Sequence, residues 1–349
     1  MVRKSLIAAG VIVGVTLLLV GLYLAFMTAS DYRPAPAVDL PVSNDQSDIL
    51  ERERPFTALT FNIGYCGMDA GADFFMDGGQ GSGASSLEQT QENLERIAAF
   101  LVGEKADLAL LQEVDVSASR SFHVDELGEL RRRVTPGGSV FAFNYKVPWV
   151  PVPLFKPMGA VQSGLLAFSR FTVRSAVRRR LPGQEAWPRQ LAELDRCAIE
   201  LRLPLAGGGE LVLIDLHLSA FDRGGRIRRQ QLDFLRQRLL AEYRAGRHVI
   251  VGGDWNHGLP GGFRTTMPPP SWYVELPQDF TPPGFRWAID PARPTVRASS
   301  TPYRPGGSFT AAIDGFLVSA NVEVRSVAVR DLGFRNSDHN PVGAEFVLH

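Results

Sequence analysis

The sequence contains little cysteine and no excess of charge, and both absences narrow the class of protein. Only Cys66 and Cys197 occur among 349 residues, which excludes the disulfide framework of a small secreted domain. The two thiols could form one bond or stand apart in the core, and the sequence leaves both open. Lysine plus arginine equals aspartate plus glutamate, 37 each, so no strong electrostatic attraction to nucleic acid is indicated.

The chain also lacks the serine-nucleophile patterns Gly-x-Ser-x-Gly and Ser-x-x-Lys. A hydrolase built on this sequence is therefore expected to activate water directly rather than to form a covalent intermediate. No internal repeat is present. With 45% hydrophobic residues over 349 positions, the chain can bury one large core or two ordinary ones.

An uncharged apolar run follows Arg3 and Lys4 and ends before Asp31. It is longer than the ~20 residues that cross a bilayer, and the flanking charges predict the N-terminus inside and the remaining chain outside the cell. Residues 1–30 are therefore predicted to be a single-pass anchor in the cell membrane, with a cleaved signal peptide as the alternative. Residues 31–55 are rich in proline, aspartate and serine, which predicts an extended linker.

Residues 56–349 have the pattern of an α/β domain. Apolar periodicity of 3.6 residues predicts helices at 87–102 and 227–243, whereas short apolar runs predict many strands. Many strands with few helices predict two packed sheets with helices outside, an α/β sandwich. The predicted strands are 56–63, 107–112, 164–168, 172–178, 197–203, 211–216, 248–251, 315–319, 322–329 and 343–348.

Polar side chains of the kinds that cleave phosphate esters stand where predicted strands begin or end. A Gly-Gly-Asp-Trp-Asn segment occupies 252–256 and a Ser-Asp-His segment occupies 337–339. Because loops at one edge of a rigid sheet can converge on one pocket, we expect these side chains to lie together. Carboxylate and amide oxygens suit a hard divalent cation, and an imidazole can move a proton. The candidate set is Asn62, Glu113, His217, Asp254, Asn256, Asp314, Asp338 and His339.

The chain resembles the endonuclease/exonuclease/phosphatase superfamily in six short segments that follow the family's order across residues 56–349. The resemblance implies a DNase I-like four-layer sandwich of two packed mixed β-sheets flanked by helices. It also implies a catalytic domain at 56–349 that hydrolyses a phosphodiester or phosphomonoester by in-line attack of water, with Mg²⁺ or alternatively Mn²⁺. The segments are Thr60-Phe61-Asn62, Leu111-Gln112-Glu113-Val114, His217-Leu218, Gly253-Asp254-Trp255-Asn256, Ile313-Asp314 and Ser337-Asp338-His339.

The same resemblance implies a catalytic role for five residues. His339 would be the catalytic histidine, held in one tautomer by Asp314. Asp254 would handle the proton of the attacking water or of the leaving group, and Asn256 would orient that group. His217 would stabilise charge on the non-bridging phosphate oxygens. Whether Asp254 or His339 is the general base stays open.

Metal and phosphate binding are assigned to other residues. By resemblance Glu113 is the main magnesium ligand, with Asn62 and Asp338 near the same cation. Arg120, a few residues after Glu113, is the candidate for gripping a substrate phosphate. Three histidines match no such motif and are predicted to be structural or exposed, with the last, beside Asn256, able to line the pocket: His123, His248 and His257.

Two loops with apolar residues bear on the substrate. The glycine-rich loop 64–86 carries two phenylalanines and a methionine at 74–76, and segment 146–157 interleaves apolar residues with four prolines, too broken for a helix or a central strand. Such loops could touch the bilayer and reach a lipid or inositol headgroup, or could cover the protein's own core. The alternatives are an exported nuclease, which the neutral charge does not favour, and an inactive tethered binding module. We expect a monomer.

Overall fold

Four α-helices and fifteen β-strands are found in the residues that the computed structural model describes, 2–43, 48–134 and 137–349. The helices are α1 (Val2–Ala29), α2 (Leu87–Glu104), α3 (Glu126–Arg133) and α4 (Arg226–Arg244). The strands are β1 (Ala37–Asp39), β2 (Phe56–Asn62), β3 (Leu108–Asp115), β4 (Gly138–Val150), β5 (Gly159–Ser169), β6 (Ser175–Arg180), β7 (Cys197–Pro204), β8 (Glu210–His217), β9 (His248–Asp254), β10 (Phe285–Ala288), β11 (Val296–Arg297), β12 (Thr310–Ala311), β13 (Asp314–Ser319), β14 (Val322–Val329) and β15 (Val342–Leu348).

Two large mixed sheets contain most of these strands. The seven-stranded sheet has the order β1-β6-β7-β8-β9-β13-β10, the six-stranded sheet has the order β14-β15-β2-β3-β5-β4, and β11 pairs with β12 alone. Within the large sheets β2 is parallel to β3 and β8 is parallel to β9, while the other neighbours are antiparallel. Helices α2 and α4 make the crossovers that parallel neighbours require.

The two sheets pack face to face, and helices cover their outer faces. Along β8, Leu211 and Leu213 belong to the core between the sheets, whereas Val212 and Ile214 pack toward α4. The outer face of the six-stranded sheet is covered in the same way by α2, with Ile97 at the contact. Both faces of the central strands are thus buried, which explains their continuous apolar runs. The predicted α/β sandwich is confirmed, with four layers.

Six elements were not predicted from the sequence, because they are short or lack a regular apolar pattern: α3, β1, β4, β10, β11 and β12. Helix α3 is short and buries only Glu126 and Leu130 among its residues. Strand β4 lies at the edge of its sheet, where Pro148 is tolerated. The segment 146–157 therefore begins as the end of an edge strand and continues as a loop, in agreement with the prediction that it is no central strand.

The described residues of the predicted linker, 31–43 and 48–55, pack on the rest of the chain at several points. Ala37 pairs with Arg179 as β1 joins the sheet, and Leu50 is 2% exposed in the inter-sheet core. Strand addition at an edge uses backbone hydrogen bonds and needs no apolar periodicity, so the sequence pattern does not reveal it. Residues 44–47 of the predicted linker lie outside the described residues.

The N-terminal helix and the cysteines have clear structural settings. Within α1, Lys4–Ala29 is long and apolar enough to cross a membrane, with a mean hydropathy of 2.5. Near its end Met27 is buried in a cluster with residues of β4 and β5. Cys66 and Cys197 are both buried and unbonded in different clusters, so of the two alternatives the structure has separate core residues.

Candidate active site

The polar side chains predicted at strand ends continue the inner faces of the two sheets. In β9, Ile250 faces the opposite sheet, and the two-residue period of a strand points Asp254 the same way. The same alternation brings Asn62, His217 and Asp314 inward at the ends of β2, β8 and β13. Parallel pairing aligns the ends of β8 and β9, and β13 sets Asp314 opposite Asp254. These four residues therefore meet between the sheets.

Glu113 reaches the same point through a bulge in β3. The pairing of β3 shifts register between Leu111 and Val114, and Glu113 there has a φ of 59°, a left-handed conformation that is uncommon outside glycine. Without the bulge Glu113 would follow Leu111 to the outer face against α2. The bulge turns the side chain so that Glu113 Oε1 accepts a hydrogen bond from Asn62 Nδ2 at 3.0 Å.

The turn after β9 is fixed by a glycine and a tryptophan. A side chain on Gly253, which has a φ of 143°, would overlap the carbonyl oxygen of Leu216 on the neighbouring strand. Trp255 is fully buried and its Nε1 donates to the Gly315 carbonyl at 3.1 Å. Asn256 follows with a φ of 49°. This anchored turn holds the flanking Asp254 in one orientation.

Asp254 is the centre of the site. Its Oδ2 accepts from Asn62 Nδ2 at 3.1 Å, and lies 3.3 Å from His217 Nε2 and 3.9 Å from His339 Nε2. Its Oδ1 accepts from the Asn256 backbone N–H at 2.8 Å. One carboxylate thus stands between two imidazoles, an arrangement suited to moving a proton.

His339 is oriented by Asp314. The Nδ1–H group donates to Asp314 Oδ2 at 2.9 Å, which leaves Nε2 directed toward Asp254. Burial acts to lower the pKa of His339, but Asp314, Asp254 and Asp338 outweigh it and raise the pKa to about 10. Burial and the charge of Asp314 raise the pKa of Asp254 to about 7, against the opposing effect of His339. The structure brings together the predicted histidine and carboxylate pair.

His217 has the opposite electrostatic character. Burial, with the charges of Arg196 and His339, holds its pKa well below the usual value, so the ring is neutral at pH 7. Its Nε2 faces Asp254 and, at 4.0 Å, Glu113 Oε1, while Nδ1 has no hydrogen-bond partner among the described residues. A neutral imidazole at this position can donate one hydrogen bond without adding charge.

The oxygen donors at the site fit a divalent cation. Asp338 lies against Gly64, two residues after Asn62, since a Cβ on Gly64 would be 3.0 Å from Asp338 Oδ1. Burial raises the pKa of Asp338; the charges of His339 and Arg297 oppose that rise, and the charge of Glu113 adds to it. A bound cation would offset the repulsion between these two carboxylates. The Asn62 amide, however, points its oxygen at the Gly64 N–H and its Nδ2 at the two carboxylates. A second group of potential ligand atoms lies within 4.8 Å and comprises Asp254, Asp314 and His339.

Arg120 lies at the site, but its guanidinium is largely engaged. Nε and Nη2 donate to the two oxygens of Asp115 at 3.2 and 2.9 Å, and Nη2 also donates to Ser163. The group stacks on the Tyr65 ring at 3.9 Å, and Nη1 is 3.9 Å from Glu113 Oε2. Arg120 is thus placed to support Glu113, and its binding of substrate phosphate stays a prediction.

Arg196 also lies at the site, although no motif in the sequence indicates it. It precedes β7, whose first residues pair with the end of β8, so it lines the same cavity as His217. Its Nη1 is buried without a hydrogen-bond partner among the described residues. Burial lowers the pKa of Arg196, opposed by the charges of Glu113 and Asp254. Its position directly before a strand is the one signal in the sequence, and that signal can be interpreted only when the strand order is known.

Of the remaining predicted residues, Asn256 lies at the site and the three other histidines do not form part of it. Asn256 lines the cavity, and its Nδ2 donates to the Leu218 carbonyl at 2.8 Å. His257 is 3% exposed and bonds the Trp255 carbonyl, and burial lowers its pKa to about 4, so it is structural. His248 bonds the His349 carbonyl and His123 contacts Ser117.

One cavity of about 670 Å³, within the usual range for ligand pockets, is lined by eight of these polar residues: Glu113, Arg120, Arg196, His217, Asp254, Asn256, Asp338 and His339. Carboxylates, imidazoles and the guanidinium of Arg196 form the polar part of its wall. The apolar part comes from the loop 64–86, from residues 150–152 of the segment 146–157 and from the last turns of α1. Polar side chains such as Glu185 and Arg189 line the cavity as well. Both loops that the sequence singles out for their apolar residues thus contribute to the cavity.

The fold and the site together define a DNase I-like hydrolase of phosphate esters. The chain belongs to the endonuclease/exonuclease/phosphatase family, whose model matches residues 59–339. Members of this family hydrolyse phosphate esters and generally use divalent metals. No curated protein matches the chain.

Solved structures show the same fold at low sequence identity. A family member from Beutenbergia cavernae is 19% identical with a TM-score of 0.56, over 85% of this chain and 72% of that one. The human Nocturnin catalytic domain is 20% identical with a TM-score of 0.53, over 89% and 98%. TDP2 from D. rerio, complexed with a single-strand DNA product, is 15% identical with a TM-score of 0.52, over 84% and 99%.

Proposed function

We propose that the chain is a magnesium-dependent phosphoesterase that hydrolyses its ester in one displacement by water, held outside the cell membrane by α1. The observation that carries this proposal is the single carboxylate oxygen, Asp254 Oδ2, that contacts Asn62 and both imidazoles within 4 Å. The apolar span of Lys4–Ala29 supports the tether, and the basic residues before it support an outward catalytic domain.

Glu113 and Asp338 would hold the cation, and Asn62 would join them after rotation of its amide. A bound Mg²⁺ would polarise a phosphoryl oxygen and offset the negative charge that develops there. Asn62 already joins Glu113 to Asp254 through its Nδ2, so metal binding and proton transfer are linked by one side chain. Mn²⁺, which accepts the same oxygen ligands, is the alternative ion.

The proton is handled by Asp254 and His339. Asp254 is proposed to accept the proton of the attacking water, because its Oδ2 faces the cavity between the two imidazoles. His339 is held by Asp314 with Nε2 toward the same point, where it donates to a phosphate oxygen. Asn256 flanks Asp254 and orients the water.

His217 and Arg196 are proposed to bind the non-bridging oxygens of the phosphate. Arg196 has a buried nitrogen, Nη1, without a hydrogen-bond partner among the described residues. His217 presents Nε2 beside Asp254 and Glu113, and both residues line the cavity. Donors arranged before the reaction lower the barrier because they do not need to reorganise as charge develops.

Hydrolysis of simple esters by the full chain in detergent tests this proposal. Bis(p-nitrophenyl) phosphate and p-nitrophenyl phosphate, each with Mg²⁺ and with EDTA, separate diesterase from monoesterase activity. Glu113→Gln should abolish the metal-dependent rate, whereas Glu95→Gln, on the exposed side of α2 with its side chain 69% exposed, should leave it unchanged. Equal rates with EDTA, or an active Glu113→Gln variant, would refute the proposal.

The two alternatives are decided by the same preparation. A nuclease would nick plasmid DNA faster than it cleaves the simple esters. A binding module would be inactive on every ester while still binding phosphate compounds.

A further inference from the structure

The last turns of α1 form part of the apolar wall of the active-site cavity. Tyr23 and Leu24 of α1 line the same cavity as Glu113 and His339. Val152, in the loop after β4, lines it as well. A single cavity therefore joins the polar site to an apolar wall that includes α1.

The contacts between α1 and the domain are specific. Tyr23 donates its hydroxyl to the Trp149 carbonyl at 3.1 Å, and Trp187 Nε1 donates to Thr28 Oγ1 at 3.3 Å. Met27 is 1% exposed in a cluster with residues of β4 and β5. The first contact fixes Trp149 relative to α1, and the other two hold the end of α1 against the rest of the chain.

The length of α1 indicates how deep this region lies. A helix of ~20 residues crosses a ~30 Å hydrocarbon core. If the membrane span begins at Lys4, it therefore ends near Leu24. Tyr23 then lies at the outer interface, where tyrosine is favoured. Its partner Trp149 lies at the same depth, so the loop that follows Trp149 meets the headgroup region.

This loop is unusually apolar for an exposed segment. Phe155 is 98% exposed and Leu154 is 78% exposed, and Val152, Trp149 and Trp187 are about half exposed. Side chains of this kind are costly to leave in water. These side chains form one apolar surface with α1, whose exposed residues are suited to the hydrocarbon core of a membrane. Because the two are adjacent, we expect a bilayer rather than a protein to cover this surface.

We infer that segment 149–155 and Trp187 dock on the outer leaflet beside α1, with the cavity mouth at the interface, so that the ester hydrolysed belongs to a membrane lipid. The phosphate would reach the polar part of the cavity wall, and the lipid's apolar part would lie along the wall formed by α1. The docking stands on the geometry alone, whereas the lipid substrate rests on the proposed phosphoesterase activity.

Docking is tested by the depth of a fluorescent label on the full chain in phosphatidylcholine vesicles. Phe155→Cys provides the labelled site, and Ile49→Cys, 50% exposed beside the strand ends opposite the active site, is the matched control. Both native cysteines are buried and should not react. Nitroxide lipids should quench the label at position 155 several-fold more than the label at position 49. Equal quenching would overturn the docking.

The lipid substrate is tested on vesicles of phosphatidylcholine, phosphatidylglycerol, sphingomyelin and phosphatidylinositol phosphate, followed by ³¹P NMR. The wild type should cleave a lipid headgroup. Leu154→Asp with Phe155→Asp should reduce that rate about tenfold, because insertion of apolar side chains is lost, and should leave bis(p-nitrophenyl) phosphate hydrolysis unchanged.

The outcomes separate the two proposals. Hydrolysis of the soluble diester with all lipids intact overturns the lipid substrate and leaves the phosphoesterase standing. If neither soluble ester nor lipid is cleaved, the proposed function itself fails, while the quenching result still decides the docking.

Discussion

Neutralising Glu113 should stabilise the metal-free protein and abolish its stabilisation by magnesium. Glu113 and Asp254 share the Nδ2 group of Asn62 at 3.0 and 3.1 Å. Burial raises the pKa of Asp338, the charges of His339 and Arg297 oppose that rise, and the charge of Glu113 adds to it. Without a cation the site therefore holds carboxylates that repel one another, and either a bound cation or Glu113→Gln relieves that repulsion.

The size of the magnesium effect follows from linkage. A free metal concentration of about 100 times Kd stabilises the folded state by ~2.7 kcal/mol, if the unfolded chain does not bind the metal. A domain of roughly 290 residues unfolds with an entropy of about 0.6 kcal/mol/K. The Tm of the wild type should therefore rise by about 4 °C, and that of Glu113→Gln should not change.

Thermal unfolding of the full chain in detergent, followed by circular dichroism, measures both effects. Each variant is melted in EDTA and over a magnesium titration, with Glu95→Gln as the charge-matched control. A magnesium-dependent rise in Glu113→Gln would show that Glu113 is no ligand. A Tm in EDTA below that of the wild type would show that carboxylate repulsion does not dominate the metal-free site.

Three further substitutions test the proton relay, an arginine cluster and the anchored turn. His339→Ala should lower kcat by roughly 10²–10⁴ with unchanged circular dichroism; a smaller loss would exclude a role in proton transfer. Burial acts to raise the pKa of Glu200, but Arg238 and Arg179 lower it to about 2. The ionised Glu200 therefore stabilises the folded state fully above the unfolded pKa of ~4.3, and this stabilisation is lost as the pH falls through 2. Glu200→Gln should therefore cost about 3 kcal/mol at pH 7 and little at pH 2, measured by denaturant unfolding; equal losses would contradict this assignment. Trp255→Ala should lower the free energy of unfolding by about 3–5 kcal/mol. It should also lower the rate of ester hydrolysis, because Asp254 would no longer be held in one orientation. Unchanged kinetics would show that the turn does not depend on Trp255.

The sequence predicts the site well where one strand determines the position of one side chain. Asn62 and Asp254 each end a buried strand, and the two-residue period alone directs them inward. The sequence does not predict that Glu113 depends on a bulge, because an uninterrupted β3 would point it to the outer face. It also does not predict Arg196, which joins the site only because β7 pairs with β8.

The distances at the site are set by the packing of one sheet on the other. Asn62 and Glu113 come from the six-stranded sheet, whereas Asp254 comes from the seven-stranded sheet, 192 positions along the chain from Asn62. A buried hydrogen bond of 2.7 Å from Gln112 to Asp215 joins the sheets directly behind these residues. Because no local pattern encodes the spacing between two sheets, the motifs predict which residues meet, and the core between them determines how closely.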